Sequence, residues 1–442
     1  MIVTDLPGFP SLREYQRIVG EEHFSAIEEL GERLSDVRFQ EINSTRHGGG
    51  VSEILISYVP FLNALGLETT WSIMEAEPAF FDVTKTLHNF LQGREGGFSP
   101  DMIETYWEAQ RHNEGLIEDD SDVVTIHDPQ PLGLIEFLTD RELERKRLLW
   151  RCHVQLETVP TTAVGSMGSI LRGLVEKYHA GIFSSFQYLP LWNVPSFIIP
   201  PFIDPLSEKN RDLPPAEIDA TLAKYGIDPE KPIVTQVSRY DVFKDPVGVI
   251  QAFKMVRRKT PCQLVLVGGR ACDDPECFIV LREVRETAED DPDIHILDLP
   301  PDSHREINAI QRASDVIVQK SIKEGFGLTV TEGLWKEKPV VAGSVGGIPL
   351  QIRDGWNGYL VSTIQETAER VLHLLRNPDM AREMGARGKE FVREYYLLTR
   401  GVQDHLTAID QLVNGRITAR DSVICYHPQV VTTRMAGCAA RQ

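Results

Sequence analysis

Two glutamates, Glu324 and Glu332, stand eight residues apart in the stretch "KEGFGLTVTEGLW". A carboxylate accepts hydrogen bonds from neighbouring hydroxyls, and the diols of sugars and ribose offer such pairs. Between the glutamates, Gly325 and Gly327 flank Phe326 and lead into Leu328. Glycines at that point let backbone N–H groups approach an anion, at a helix start whose dipole favours negative charge. The competing reading of Glu332 is a first-turn glutamate that complements the helix dipole. For Glu324 it is a solvated surface charge.

Two further stretches carry residues suited to phosphate. "SRYDVFKD" sets Arg239 and Lys244 five residues apart. An arginine fork and a lysine point charge on one loop can neutralise a diphosphate, although the same pattern also describes a solvated basic loop. Gly48, Gly49 and Gly50 precede an apolar helical pattern. That triplet reads either as an anion cradle or as a plain turn. No G-x-G-x-x-G fingerprint and no P-loop pattern occurs.

A third set is polar and lies in the first half of the chain. "IHDPQP" holds His127, Asp128 and Gln130, and "LLWRCH" ends at His153. Asp128 followed by Pro129 fits a helix N-cap with proline at the first helical position. The two histidines fit packed, hydrogen-bonded side chains equally well.

These residues need elements that bring them to one place. "VRFQEINS", "LETTWSIM", "SDVVTIHD" and "LLWRCHVQLE" read as strands, and "VSEILISYVPFLNALG" as a helix ended by Gly66. A β–loop–α–β opening predicts a doubly wound sheet. A second series begins after the proline-rich "PSFIIPPFIDPLSEKN", with strands in "KPIVTQVSRYD", "CQLVLVGGR", "IHILDL", "ASDVIVQKS" and "KPVVAGSVGG". Short β-branched runs separated by helical patterns imply parallel sheet. The expected fold is α/β, with two Rossmann-like domains facing a central cleft. The expected bounds are 1–210, 211–395, and a helix with an irregular tail over 396–442. Ligands of such sheets bind at the carboxyl ends of the strands, where every residue singled out above falls.

The totals agree with that plan. The 442 residues exceed one ordinary core, and 42% hydrophobic content suffices for packed interiors. A net charge of −19 argues against a nucleic-acid partner. No segment has the run of about 20 apolar residues that crosses a bilayer. The N-terminus lacks a secretory pattern, and six scattered cysteines suit a reduced, cytoplasmic protein. No cysteine or histidine spacing predicts a metal site.

Taken together, "SRYDVFKD", "EGFGLTVTE", "PPFID" and "GGIP" resemble the retaining, nucleotide-sugar-dependent glycosyltransferases of GT-B fold. "NSTRHGGGVSEIL", "HDPQPLGLIEF", "LWRCH" and "SIKEGFGLTVTEGLWKEKPVV" narrow the resemblance to the trehalose synthases of the glycosyltransferring type. That family makes α,α-trehalose from a nucleoside-diphosphate glucose and free glucose. The resemblance implies that Arg239 and Lys244 bind the donor diphosphate, Glu332 the ribose and Glu324 the donor glucose. Backbone amides of Gly325, Phe326, Gly327 and Leu328 would support sugar and phosphate, and Gly49 and Gly50 would approach the diphosphate. Asp128 and His153 would lie beside the donor glucose, and His127 and Gln130 toward the acceptor. The implied donor is ADP- or UDP-glucose, with no obligatory cofactor and Mg2+ at most a stimulant. The partners are sugars rather than nucleic acid or membrane, and a homodimer is compatible with the family. One departure stands out: many relatives have glycine where this chain has Asp245 after Lys244. A trehalose phosphorylase and a catalytically silent sugar-nucleotide sensor are the rival readings.

Overall fold

A computed structural model describes residues 2–3, 8–46, 50–91, 97–154, 156, 167–190, 192–269, 276–417 and 422–426. The chain divides into two compact units, Met1–Pro201 with Leu398–Gln442, and Phe202–Leu397. The proline-rich stretch does carry the divide, but at Pro201 rather than at residue 210. The reason lies in Lys209 and Asn210, whose side chains bond to Glu332 and Lys336 of the second unit.

In the first unit six strands follow one another: β1 Phe39–Asn43, β2 Thr69–Ile73, β3 Val123–His127, β4 Arg147–Cys152, β5 Ala180–Phe183 and β6 Ser196–Ile198. A seventh, Val423–Cys425, pairs parallel with β6. It falls in the tail whose sequence shows no clear period. The sheet order is Val423–Cys425, β6, β5, β4, β3, β1, β2, and all of these pairings are parallel. Every residue of β1 and β3 is buried, as expected of strands covered on both faces. The helix Gly50–Ala64 follows β1 and buries Ile54, Leu55, Tyr58, Val59, Phe61 and Leu62, and Gly66 ends it at φ 88°. The late helix Leu398–Val413 returns to pack on Glu21–Arg33.

The second unit has β7 Ile233–Val237, β8 Gln263–Gly268, β9 Ile294–Asp298, β10 Val316–Gln319, β11 Val340–Gly343 and β12 Gly358–Val361. Their order is β12, β11, β10, β7, β8, β9, again with parallel pairing. Side chains alternate between two cores. Val234, Leu264, Leu266, Val316 and Val318 join one, and Ile233, Val237, Val265 and Val267 the other. That period of two is the pleat itself. Strand β12 is too short and too closely framed by turns to stand out in the sequence.

Each sheet has one place where the direction of winding reverses. In the first unit it lies between β1 and β3, and in the second between β7 and β10. The loops diverge there and leave a crevice at the carboxyl ends of the strands.

Candidate active site

The second unit's reversal point gathers the residues with phosphate and sugar chemistry. The loop after β7 contains a short 3-10 turn, Val242–Lys244, and the loop after β10 runs from Lys320 to Gly327. Lys244 Nζ meets Glu324 Oε2 at 2.6 Å, with side chains 18% and 10% exposed. Ser321 Oγ donates to the same oxygen at 3.0 Å. The expected diphosphate cation and the expected sugar carboxylate are therefore partners of each other. Arg239 is more open, 55% exposed, and lies 3.5 Å from Asp241.

Asp245 has φ 48° and ψ 50°, the left-handed conformation that glycine adopts without cost and aspartate tolerates. Its Oδ1 accepts from Gly248 N at 3.0 Å and so caps the helix Pro246–Arg257. Its Oδ2 pairs with Lys320. The departure from the family's glycine is thus accommodated locally: the extra charge has its own lysine, and Lys244 keeps Glu324.

The glycine turn is built from two segments. Gly347 N donates to Gly325 O at 3.0 Å, and Gln351 Nε2 donates to Phe326 O at 2.6 Å. A Cβ on Gly347 would stand 2.9 Å from Gly325 O and from the Phe326 ring, so the two chains meet only because one is glycine. Phe326 is buried and packs on Tyr396 at 5.7 Å. Gly327, at φ 88°, starts the helix Leu328–Trp335 without a side-chain cap. The first amides of a helix have no intrahelical acceptor, so they are available to an anion.

Glu332 differs from expectation. It is 1% exposed rather than turned toward the mouth of the turn, and it is not a solvated first-turn charge. Its Oε1 lies 3.0 Å from Lys209 Nζ, and Gln311 Nε2 donates to Oε2 at 3.4 Å. Burial alone would raise the Glu332 carboxyl, but the Lys209 and Lys336 ammoniums hold it below the usual range. Burial pushes Lys336 down to about 7, against the pull of Glu332. Lys336 Nζ donates to Asn210 Oδ1 at 3.0 Å.

In the first unit the reversal point collects histidines and carboxylates. His127, the last residue of β3, has Nε2 at 2.7 Å from Glu41 Oε2. Its Nδ1 lies 2.9 Å from His153 Nε2. The backbone N–H of His153 donates to Asp128 Oδ1 at 2.8 Å. Asp128 has φ 62° and caps no helix, since the next turn of helix starts only at Leu132. Trp150 Nε1 donates to its carbonyl at 2.9 Å, which helps hold a conformation rare outside glycine. Burial raises the Asp128 carboxyl, while His88, the His153 N–H, His127 and Arg151 oppose that. Burial lowers the His153 imidazole well below its ordinary value, and the Arg151 guanidinium adds to it. Gln130 Oε1 is buried without a hydrogen-bond partner among the described residues. Gly50 opens the helix after β1, whereas Gly49 and Gly48 lie outside the described residues.

Sequence reasoning missed Glu41, Arg151, Lys209 and Lys320. Each is a charged residue that the fold buries or nearly buries. For Glu41 a signal existed, an acid inside the otherwise strand-like "RFQEIN". Among the described residues, no group of three or more His, Cys, Asp or Glu is arranged to hold a metal ion. No helix among them is long and apolar enough to cross a membrane.

Comparison with known proteins sets these two constellations in a family. Residues 41–190 match the model "Trehalose synthase, N-terminal domain", and residues 217–391 match "Glycosyl transferases group 1". The chain is 44% identical over 411 residues to a trehalose synthase of Pyrococcus horikoshii, covering 92% of this chain and 97% of that one. It is 29% identical over 402 residues to a trehalose phosphorylase of Pleurotus pulmonarius, covering 79% of this chain and 54% of the other. The solved sucrose-phosphate synthase from Thermosynechococcus elongatus shares the fold, with a TM-score of 0.66, 18% identity, and 86% and 100% of the two chains covered. The chain belongs to the trehalose synthase family, glycosyltransferases of GT-B fold.

Proposed function

We propose that this glycosyltransferase retains configuration and makes α,α-trehalose, reversibly, from a nucleoside-diphosphate glucose and free glucose. The observation that carries the reading is the Lys244–Glu324 pair beside the glycine turn and helix start. An arriving diphosphate competes with Glu324 for the Lys244 ammonium. The same exchange frees the carboxylate to accept from donor glucose hydroxyls. Arg239, more exposed than Lys244, is the second cation for the phosphates. Amides of Gly325, Phe326, Gly327 and Leu328 add N–H donors.

Departure of the diphosphate leaves an oxocarbenium-like sugar. Acceptor glucose attacks from the face the phosphate left, and the leaving phosphate takes the acceptor's proton. A double-displacement route would need a carboxylate nucleophile about 5–5.5 Å from an acid partner. In this reading Glu324 serves the donor hydroxyls and Glu332 the ribose, and Asp128 accepts from the His153 N–H, so none is assigned as nucleophile. The protein's contribution is charge stabilisation and positioning. Asp128 and His153 flank the donor glucose in this reading, and His127 and Gln130 the acceptor. Glu332 takes the ribose once Lys209 yields its place. No resident cofactor is required, and Mg2+ acts at most as a stimulant.

The buried Lys209–Glu332 pair favours a second reading, a phosphorylase, because a site with no ribose to hold has no need to open it. A donor panel of ADP-, UDP- and GDP-glucose with glucose as acceptor, read by product and anomeric linkage, separates the two. The synthase reading expects α,α-trehalose from at least one nucleotide donor. Glucose 1-phosphate from trehalose and inorganic phosphate, with no product from any nucleotide donor, overturns it.

A further inference from the structure

Glu41, His127 and His153 form an unbroken hydrogen-bonded row across β1, β3 and the end of β4. Glu41 is 2% exposed and meets His127 Nε2 at 2.7 Å. His127 Nδ1 meets His153 Nε2 at 2.9 Å, and the two rings lie 15° from parallel. Glu41 has no part in the transfer described above.

Such a row permits few proton arrangements. Ionised Glu41 can only accept, so His127 carries a proton on Nε2. If His127 is neutral, its Nδ1 is an acceptor, and His153 must donate from Nε2. Neutral His153 then ends the row with a lone pair on Nδ1. One added proton inverts that end. Whether it sits on Glu41 or on His127, His127 Nδ1 becomes the donor, His153 Nε2 the acceptor, and His153 Nδ1 bears hydrogen. The state of a buried carboxylate is thus expressed as acceptor or donor two residues away.

The surroundings favour the arrangement with fewer protons. Arg151 stands directly across from His127 in the β3–β4 pairing and is 1% exposed, with Nη1 lacking a hydrogen-bond partner among the described residues. His405, from the late helix, acts on both His127 and His153. An extra proton would either place a positive charge on His127 or cancel the negative charge of Glu41, and each is unfavourable beside that buried guanidinium. Asp128 offers one counter-charge, yet its Oδ1 is already engaged by the His153 N–H.

We propose that Glu41 is a positioning residue that, through His127, fixes His153 with its Nδ1 as an acceptor for a hydroxyl of the donor glucose. The inference rests on the reading that sets His153 beside that sugar. It predicts that the sugar gives a hydrogen bond to this histidine and does not receive one.

The test has a spectroscopic and a kinetic arm. The full chain is labelled with 15N-histidine, and ring nitrogen shifts and long-range couplings are recorded without substrate at pH 7.5. Loss of one spin system in His153→Asn assigns the residue. The expected wild-type result is the Nε2–H tautomer at His153. In Glu41→Gln the amide can donate or accept, so the row loses its direction and the His153 signals move toward the Nδ1–H form. A wild-type Nδ1–H tautomer, or an unchanged Nε2–H tautomer in Glu41→Gln, overturns the proposal. Glu41→Asp retains the charge and is expected to restore the wild-type tautomer; failure to restore it in a folded variant counts against the proposal. If Glu41→Gln does not fold, the wild-type tautomer alone decides. In the kinetic arm, Glu41→Gln is expected to lower kcat/KM for the donor by roughly ten- to hundredfold, the range for loss of a charged hydrogen bond. Because the tautomer is read without substrate, its failure is distinct from failure of the synthase reading, which the wild-type donor panel decides.

Discussion

Lys244 is paired with Glu324, a contact that the proposed reaction displaces, and this sets what its replacement does. In the proposed reaction Lys244→Ala removes the leaving-group cation, and Ser321 still donates to Glu324. Loss of a charge that stabilises the transition state lowers kcat by roughly 10²–10³-fold. Steady-state kinetics on a variant with an unaltered circular dichroism spectrum measure this, and near-normal turnover would exclude Lys244 from the site. Asp245 makes the opposite case. Asp245→Gly keeps the left-handed turn and loses a cap that glycine replaces at a cost of a few tenths of a kcal/mol. Asp245→Ala loses the cap and also pays for positive φ with about 1–2 kcal/mol. Thermal denaturation should therefore rank wild type and Asp245→Gly close together, with Asp245→Ala clearly below. Equal, large losses in both variants would mean that the Lys320 pair, which both remove, governs this loop rather than backbone conformation.

At the scale of elements, the active turn depends on two chain segments in backbone contact. The Gly325–Gly327 turn is braced by Gly347 and Gln351, which flank and belong to the short helix Ile348–Gln351. Gly347→Ala puts a methyl group against Gly325 O and Phe326, with φ already in the ordinary negative range. Its effect is displacement of the turn, not strain at residue 347. We expect kcat/KM to fall at least tenfold while the melting temperature drops by only a few degrees, the typical cost of modest overpacking. Equal losses in a donor-independent binding assay and in stability would instead mean that the whole helix had come loose. This element also shows where sequence reading ends. The alternation of β-branched runs with helical patterns was legible for nine of the strands, because the pleat and the parallel sheet leave a direct mark on residue type. β5, β6, β12 and Val423–Cys425 were not, since three or four residues without a β-branched run such as that of β10 or β11 carry too few positions for a period. The turn "EGFG" was legible because only glycine permits it. The partners of its charges were not, because Lys209 lies 123 residues from Glu332, and Glu41 lies 86 residues from His127 and 112 from His153. A side chain's partner across such distances is a property of the finished sheet order.

At the scale of the whole molecule, the two units differ in how their buried histidines respond to acid. The first unit contains His153 and His405, both held well below the ordinary imidazole value, chiefly by burial and next by Arg151. In the second unit His295 is lowered, half buried, with no fully buried histidine beside it. A depressed imidazole stays neutral in the folded state while the unfolded chain takes up its proton near pH 6.5. The unfolded state then binds more protons, so stability falls as pH drops below about 6.5. The loss continues until the folded value is reached. Between pH 7.5 and 5.5 both groups therefore remove stability from the first unit. Asp128 and Asp404, whose carboxyls burial raises, act in the other direction, at lower pH. In the second unit Lys336, at about 7, gives up part of its contribution as pH falls through that value, the lowered His295 adds a loss of the same sign, and the lowered Glu332 is affected only in strong acid. Calorimetry should therefore show both transitions moving down between pH 7.5 and 5.5, the first unit's by more because it holds two deeply buried histidines. His405→Gln should reduce the first unit's displacement whatever it does to the absolute melting temperature. Two transitions moving in parallel, or a displacement that His405→Gln leaves intact, would show that acid acts on the molecule through other groups.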